Sequence, residues 1–298
     1  MSKVVVLGTE GAGKTVFVTC LAKFLHQRER ELGIVLDPKD TDTMRYIERA
    51  WKRLQEADWP PATPPGQFCV LNWQLTFSGK PLLDFSLIDP PGHDIRRLFS
   101  ENGDLANLPP DLQPLAEQVA TADFVILLAN LADFLGDPDD DRRLVSEMAI
   151  KFVLEHIAAR DADPRVNVAL VFTQADLFSD ELMGASAPRS VVRKHLPLVH
   201  QSPAFQTLVA NNIFAVSAVD KTRLIISSND DARRVPDASF TSEGFELILN
   251  WLRHCLDARE RFWKDAETRE KNREFWRTVF WAMVVFVGLF FLHGCFGK

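Results

Sequence analysis

The stretch Gly8-Thr9-Glu10-Gly11-Ala12-Gly13-Lys14-Thr15 constrains this chain more than any other. It follows an apolar run, Val4-Val5-Val6-Leu7, which reads as a buried strand over residues 3–7. It precedes Val16, Phe17, Leu21 and Phe24, whose spacing suits one face of a helix over Thr15–Leu25. Glycines in such a turn let backbone N–H groups converge on an anion with no Cβ in the way. The helix start adds partial positive charge. Lys14 is placed to reach terminal phosphate oxygens, and the Thr15 hydroxyl suits Mg2+. The plain alternative is a chance glycine-rich turn. A strand before it and a helix after it argue against that.

The rest of the chain alternates in the same way. A helix is expected from about Asp42 to Ala57, then a breaker cluster over Trp59–Gly66, which holds four prolines. Strands are expected over Phe68–Phe77 and Leu82–Ile88, with Ser78-Gly79-Lys80 as the hairpin between them. Further strands are expected over Phe124–Leu128, Val166–Phe172 and Ile213–Val216. Helices about Leu112–Val119, Asp141–Ala159 and Arg189–Val199 fall between them. Asp220–Ser239 is polar and reads as loop, and a last helix starts near Thr241-Ser242-Glu243. Strands alternating with helices predict an α/β fold of three layers around a mostly parallel sheet.

Three more segments carry chemistry. Asp89-Pro90-Pro91-Gly92-His93 ends a strand with D-x-x-G. Asp89 there can hold Mg2+ through a water, and the Gly92 N–H can turn toward a terminal phosphate. The same four residues are also an ordinary turn. Thr173-Gln174-Ala175-Asp176 ends another strand, and Ser217-Ala218 ends the next. In order and spacing these segments resemble the P-loop GTPases of the translation-factor and Ras-like class, over about residues 3–256. The proline-rich Trp59–Gly66 loop bears a fainter likeness to bacterial double-GTPase modules.

The resemblance implies GTP as substrate, GDP as product and Mg2+ as cofactor. Gly8, Glu10, Gly11, Ala12, Gly13, Lys14 and Thr15 would cradle the phosphates. Thr173, Gln174, Asp176, Ser217 and Ala218 would hold the base, with Asp176 accepting from guanine N1 and the exocyclic amine. Thr15, Asp89 and a switch threonine would face the metal. Thr63 lies just before a strand and is favoured for that switch role, with Thr41 and Thr43 as the other candidates. Lys14, Thr63 and His93 would serve hydrolysis, His93 by orienting the attacking water, unless His93 is only a surface histidine beside a turn. One departure stands out: the family's lysine before x-Asp is Gln174 here, which keeps a flat hydrogen-bonding group but loses the charge. Arg96 and Arg97 follow the D-x-x-G turn and read as partner-binding or solvated residues. With no arginine finger assignable, a slow intrinsic rate is expected.

The C-terminus sets a second constraint. Thr278–Phe296 is a run of nineteen residues with no formal charge. As a helix it would span about 28 Å, close to the hydrocarbon thickness of a bilayer. Trp276 and Trp281 lie at its near edge, and Arg269, Lys271, Arg273 and Arg277 precede it. This predicts a nucleotide-binding domain over 1–256, a charged helix over 257–277 and a transmembrane anchor over 278–296. The protein would be single-pass, with the domain on the cytoplasmic side.

Composition narrows the partners. The net charge of −7 disfavours nucleic-acid binding by a general basic surface. Four cysteines without CxxC spacing imply neither a disulfide framework nor a zinc cage. The expected partners are GTP and GDP, a membrane through the tail, and a protein effector or activator that the sequence does not identify. Two other classes remain open beside a membrane-anchored GTPase switch: an ATP-using P-loop enzyme, and a non-hydrolysing nucleotide-binding scaffold.

Overall fold

Val4, Val5, Val6 and Leu7 are fully buried in β1 (Ser2–Gly8). Burial of each such side chain contributes about 1.5–3 kcal/mol, and a strand buried on both faces belongs inside a sheet. β1 pairs in parallel with β4 (Lys80–Asp89) on one side and β5 (Phe124–Asn130) on the other. The computed structural model describes residues 2–9, 11–61, 69–77, 80–89, 110, 113–136, 140–160, 166–182, 187–226, 232–262, 264 and 268.

Seven strands form the main sheet in the order β2-β3-β4-β1-β5-β6-β7, where β2 is Ile34–Pro38, β3 Cys69–Phe77, β6 Asn167–Thr173 and β7 Ile213–Ala215. The run β4-β1-β5-β6-β7 is parallel throughout. β3 is antiparallel to both β4 and β2. The chain leaves β1 toward one edge of the sheet and resumes at β5 on the other side. β1 therefore lies at a topological switch point, where open α/β sheets leave a crevice at the carboxyl ends of their strands.

Helices cover both faces. Val5, Leu7, Val125 and Leu127 share a core with Val119 of α4 (Gln113–Ala120) and Ile150, Val153 and Leu154 of α5 (Asp140–Ala158). Alternate strand residues point to the opposite face. There α1 (Lys14–Gln27) lies beside α3 (Thr41–Gln55), with the short α2 (Glu29–Leu32) between them in sequence. Phe245 packs edge-on to Phe17 with ring centroids 5.2 Å apart, and stands 5.5 Å from Phe24. The expected three-layer α/β architecture is therefore present.

Several elements differ from the sequence expectation. β2 was not expected; its apolar part is only Ile34-Val35-Leu36, too short for periodicity to speak. Asp220–Ser239 is not loop throughout. It contains β8 (Thr222–Ile226) and β9 (Ala232–Pro236), an antiparallel pair separate from the main sheet. Charged Arg223, Arg233 and Arg234 mask that strand pattern. The single helix expected over Arg189–Val199 is broken at Pro197, which lacks an N–H and clashes with the preceding turn. It becomes α6 (Ala187–His195) and α7 (Pro197–Gln201), and a further short helix, α8 (Pro203–Leu208), follows.

The chain falls into two compact units, Met1–Leu249 and Asn250–Lys298, and the sheet lies in the first. The last helix begins at residue 245 and runs through 262. Among the described residues no helix is long and apolar enough to cross a membrane. Thr278–Phe296 and the basic residues Arg269, Lys271, Arg273 and Arg277 lie outside the described residues.

Truncating Phe245 to alanine should cost about 3–5 kcal/mol, because the ring is fully buried between two others. Urea unfolding of Phe245→Ala against wild type measures this; a loss under about 1 kcal/mol would mean the α1 face does not depend on that ring.

Candidate nucleotide site

Parallel pairing carries the carboxyl ends of β1, β4, β5, β6 and β7 to one edge of the sheet. Gly8 pairs with Leu128 of β5, and Val6 pairs with Leu87 of β4, so Asp89 closes β4 level with Gly8. Asn130 pairs with Thr173, and Phe172 with Ala215. The turns after β1, β5, β6 and β7 thus leave the sheet on the same side, where β4 also ends.

The glycine-rich turn has the backbone its sequence demands. Gly11 and Gly13 take φ values of 72° and 73°, left-handed conformations that a side chain disfavours. Gly8 is needed for a different reason. A Cβ there would lie 3.0 Å from the Leu128 Cβ and 3.1 Å from its carbonyl oxygen. The Ala12 N–H donates to the Thr9 carbonyl at 3.2 Å, and α1 opens at Lys14 directly after Gly13. Lys14 is buried, and its Nζ donates to the Gly8 carbonyl at 3.1 Å and the Thr9 carbonyl at 3.2 Å. A buried ammonium needs such acceptors, and here the turn itself supplies them. Thr9 Oγ1 is buried with no hydrogen-bond partner among the described residues.

Thr173 ties the β6 turn to this loop. Its buried hydroxyl donates to the Ala12 carbonyl at 3.1 Å and lies 3.4 Å from the Ala129 carbonyl. Gln174 follows at φ 60°, ψ 37°, left-handed for a residue with a Cβ, and opens a short 3-10 turn over Ala175–Phe178. That conformation costs about 1–2 kcal/mol; strain of this kind collects at functional turns. Asp176 sits in the turn, and Ser217 Oγ donates to its Oδ1 at 3.1 Å. Ser217 is fixed in turn by paired backbone hydrogen bonds with Glu243, and the Ala218 carbonyl accepts from Ser242 Oγ at 2.7 Å. Burial pushes the Asp176 carboxyl above the ordinary carboxylate range. Its backbone and Ser217 hydrogen bonds act against that, Asp220 adds to it, and Arg234 opposes it. The phosphate-cradle motif and the Asp176–Ser217 pair therefore occupy the same edge, braced by one threonine.

Three features of this edge escaped the sequence reading. Asn130 ends β5, where its Oδ1 accepts from the Ala132 N–H at 3.0 Å. A Cβ on Gly11 would lie 4.0 Å from Asn130 Nδ2 and 3.7 Å from Arg142 Nη2, so both side chains stand beside the loop. Arg142 is held there by an ion pair with buried Asp133 at 2.8 Å, and Ser146 Oγ donates to the other oxygen of that carboxylate at 3.1 Å. On the far side, Tyr46 of α3 places its hydroxyl 3.1 Å from Thr15 Oγ1. None of these follows a motif, and each depends on which elements the fold brings together.

Of the other expected site residues, Glu10, Thr63, Gly92 and His93 lie outside the described residues, as do Arg96 and Arg97. Asp89 is described only as the last backbone position of β4. The alternatives to Thr63 are placed. Thr41 is exposed at the start of α3. Thr43 is fully buried, and its hydroxyl accepts from the Asn72 N–H at 3.0 Å, which joins α3 to β3.

No protein-family model matches this chain, and no curated protein matches it. Among solved structures, translation elongation factor SelB from Methanococcus maripaludis, in complex with the GTP analogue GppNHp, is similar at 10% identity and a TM-score of 0.36. The likeness covers 73% of this chain, which spans only 30% of that structure's length. The fold assignment rests on this chain's own strand order and pairing.

Replacing Thr173 with valine removes one hydroxyl and leaves the buried Ala12 carbonyl short of a donor. Thr173→Val should lose about 1–3 kcal/mol of unfolding free energy, read from urea titration. An unchanged midpoint would mean the hydroxyl does not brace the loop.

Proposed function

We propose that this chain binds GTP with Mg2+ at the carboxyl edge of its sheet and hydrolyses it to GDP as a conformational switch. The observation that carries the reading is the meeting, at one edge, of a glycine-rich strand-to-helix turn with the Asp176–Ser217 pair, with Thr173, three residues before Asp176, bonded to the Ala12 carbonyl of that turn. Convergent N–H groups, Lys14 and the start of α1 suit a polyphosphate. Arg142 beside Gly11 adds positive charge where an anion would lie. An ionised Asp176 can accept two N–H groups from one purine edge; guanine presents N1–H and the exocyclic amine there, whereas adenine presents an unprotonated N1.

Mg2+ fits the donor set. It takes oxygen ligands and shares them with nucleotide phosphates. The Thr15 hydroxyl opens α1, and Asp89 closes the neighbouring strand β4. The bound metal supplies charge neutralisation at the phosphates. The chain's own residues do the rest: Lys14 meets the terminal phosphates, and His93 orients the water. Loops 59–66 and 89–100 reorganise when the terminal phosphate leaves. The Thr278–Phe296 tail holds the domain at the cytoplasmic face of a membrane, where a protein effector or activator reads the loops.

The deciding experiment is equilibrium binding of GDP and ATP to the full-length chain in detergent, with identification of any nucleotide that co-purifies. GDP should bind far more tightly. Asp176→Asn should weaken GDP by about 10–100-fold and improve binding of xanthosine diphosphate, whose C2 oxygen accepts from the new amide. Preference for ATP, or no effect of Asp176→Asn on GDP, would overturn the reading. Multiple-turnover hydrolysis by wild type and His93→Ala separates the switch from a non-hydrolysing scaffold.

The raised carboxyl of Asp176 sets a pH dependence. Only the carboxylate accepts both guanine N–H groups, so GDP affinity should fall as pH drops through a value above the ordinary carboxylate 3.8. The same shift means that the folded protein holds this proton more tightly than the unfolded chain does. Asp176 therefore contributes stability below that window and loses it as pH rises through the raised value. GDP titrations from pH 7 downward toward the ordinary carboxylate value check the first effect, and in Asp176→Asn this component of the pH dependence should vanish.

A further inference from the structure

Tyr46 is the only tyrosine in the chain, and it meets the one hydroxyl that the phosphate-loop motif reserves for a metal. The two oxygens are 3.1 Å apart, and either can be the donor. Thr15 Oγ1 has one proton and two lone pairs. When a divalent cation takes a lone pair, the hydroxyl becomes a stronger acid and its proton needs an acceptor. The Tyr46 oxygen lies at the right distance to be that acceptor. Partners of this kind, which touch a metal's ligand rather than the metal, typically change affinity by about 10–100-fold when removed.

Tyr46 does not reach Thr15 by accident of a mobile side chain. α3 is capped by Asp40, whose Oδ1 accepts from the Thr43 N–H at 2.6 Å. Thr43 Oγ1 fastens α3 to β3 through Asn72, and Ile47, Ala50 and Leu54 bury its inner face. Lys23 of α1 reaches Glu48 at 2.7 Å and lies 5.8 Å over the Trp51 ring. Beyond α3, Asp58 pairs with Arg53 at 3.2 Å, and Trp59 Nε1 donates to the Arg234 carbonyl at 2.8 Å. The segment that holds Tyr46 is thus fixed at both ends and leads straight into residues 59–66.

We propose that Tyr46 is a positioning residue for Mg2+. Its phenolic oxygen accepts a hydrogen bond from the Thr15 hydroxyl and so turns a Thr15 lone pair toward the metal, which makes α3 sensitive to metal occupancy. The inference rests on the nucleotide reading above and adds a residue that no motif marks.

The test compares full-length wild type and Tyr46→Phe, which keeps the ring and removes only the hydroxyl. Each is loaded with a fluorescent GDP analogue, and release is timed in EDTA and at rising free Mg2+. Release in EDTA should agree within about twofold, since the phosphate loop is untouched. The free Mg2+ needed to slow release half-maximally should rise about tenfold in Tyr46→Phe. In a Thr15→Ala background the second substitution should then change nothing, because the two act through one hydroxyl. An unchanged Mg2+ midpoint would overturn the proposal. So would a lower midpoint, which would make Tyr46 a competitor of the metal, or an equal change in EDTA, which would mark a packing effect. Absence of guanine-nucleotide binding in wild type would instead reject the nucleotide reading itself.

Discussion

Parallel pairing of β1 between β4 and β5 is the constraint on which the rest of this molecule depends. In a parallel sheet every strand ends on the same side, so turns far apart in sequence are forced together. Residues 8–15, 130–133, 173–176 and 216–218 are neighbours for that reason alone. The apolar run Val4–Leu7 leaves β1 no stable position except the interior. Its close fit against Leu128 leaves room for nothing larger than glycine at position 8.

Around that edge several polar groups are paired with one another. Lys14 is buried against carbonyls of its own loop, Thr173 spans from β6 to the Ala12 carbonyl, and Ser217 steadies Asp176. Asp133 lies beneath Arg142 and keeps the guanidinium beside Gly11. Such a set is expensive to bury and loses its value if one member is missing.

α3 gives the fold a feature that a plain alternation of strands and helices lacks. It is inserted with β2 before the β3–β4 hairpin and is clamped to α1 and β3. Through Tyr46 it touches Thr15, and just beyond its end Asp58 and Trp59 meet the β8–β9 pair, which follows Ser217 and Ala218. The segment 41–59 therefore touches both the glycine-rich turn and the strand pair that follows the β7 turn.

The α/β class, the buried strands and the glycine-rich turn were legible because each is written locally. Strand burial shows as continuous apolar runs, and the turn demands φ values that only glycine adopts freely at Gly11 and Gly13. β2, the β8–β9 pair and the break at Pro197 were not foreseen. The first two carry too few apolar residues over the charged background, and the third sets one local rule against a longer helical pattern. Asn130, Arg142 and Tyr46 had no signature at all. Their placement beside the loop is set by strand register and helix seating, which sum many weak packing contacts over distant parts of the chain. Local chemistry thus marked the glycine-rich strand-to-helix turn from sequence alone, whereas its neighbours were decided only when the sheet closed around it.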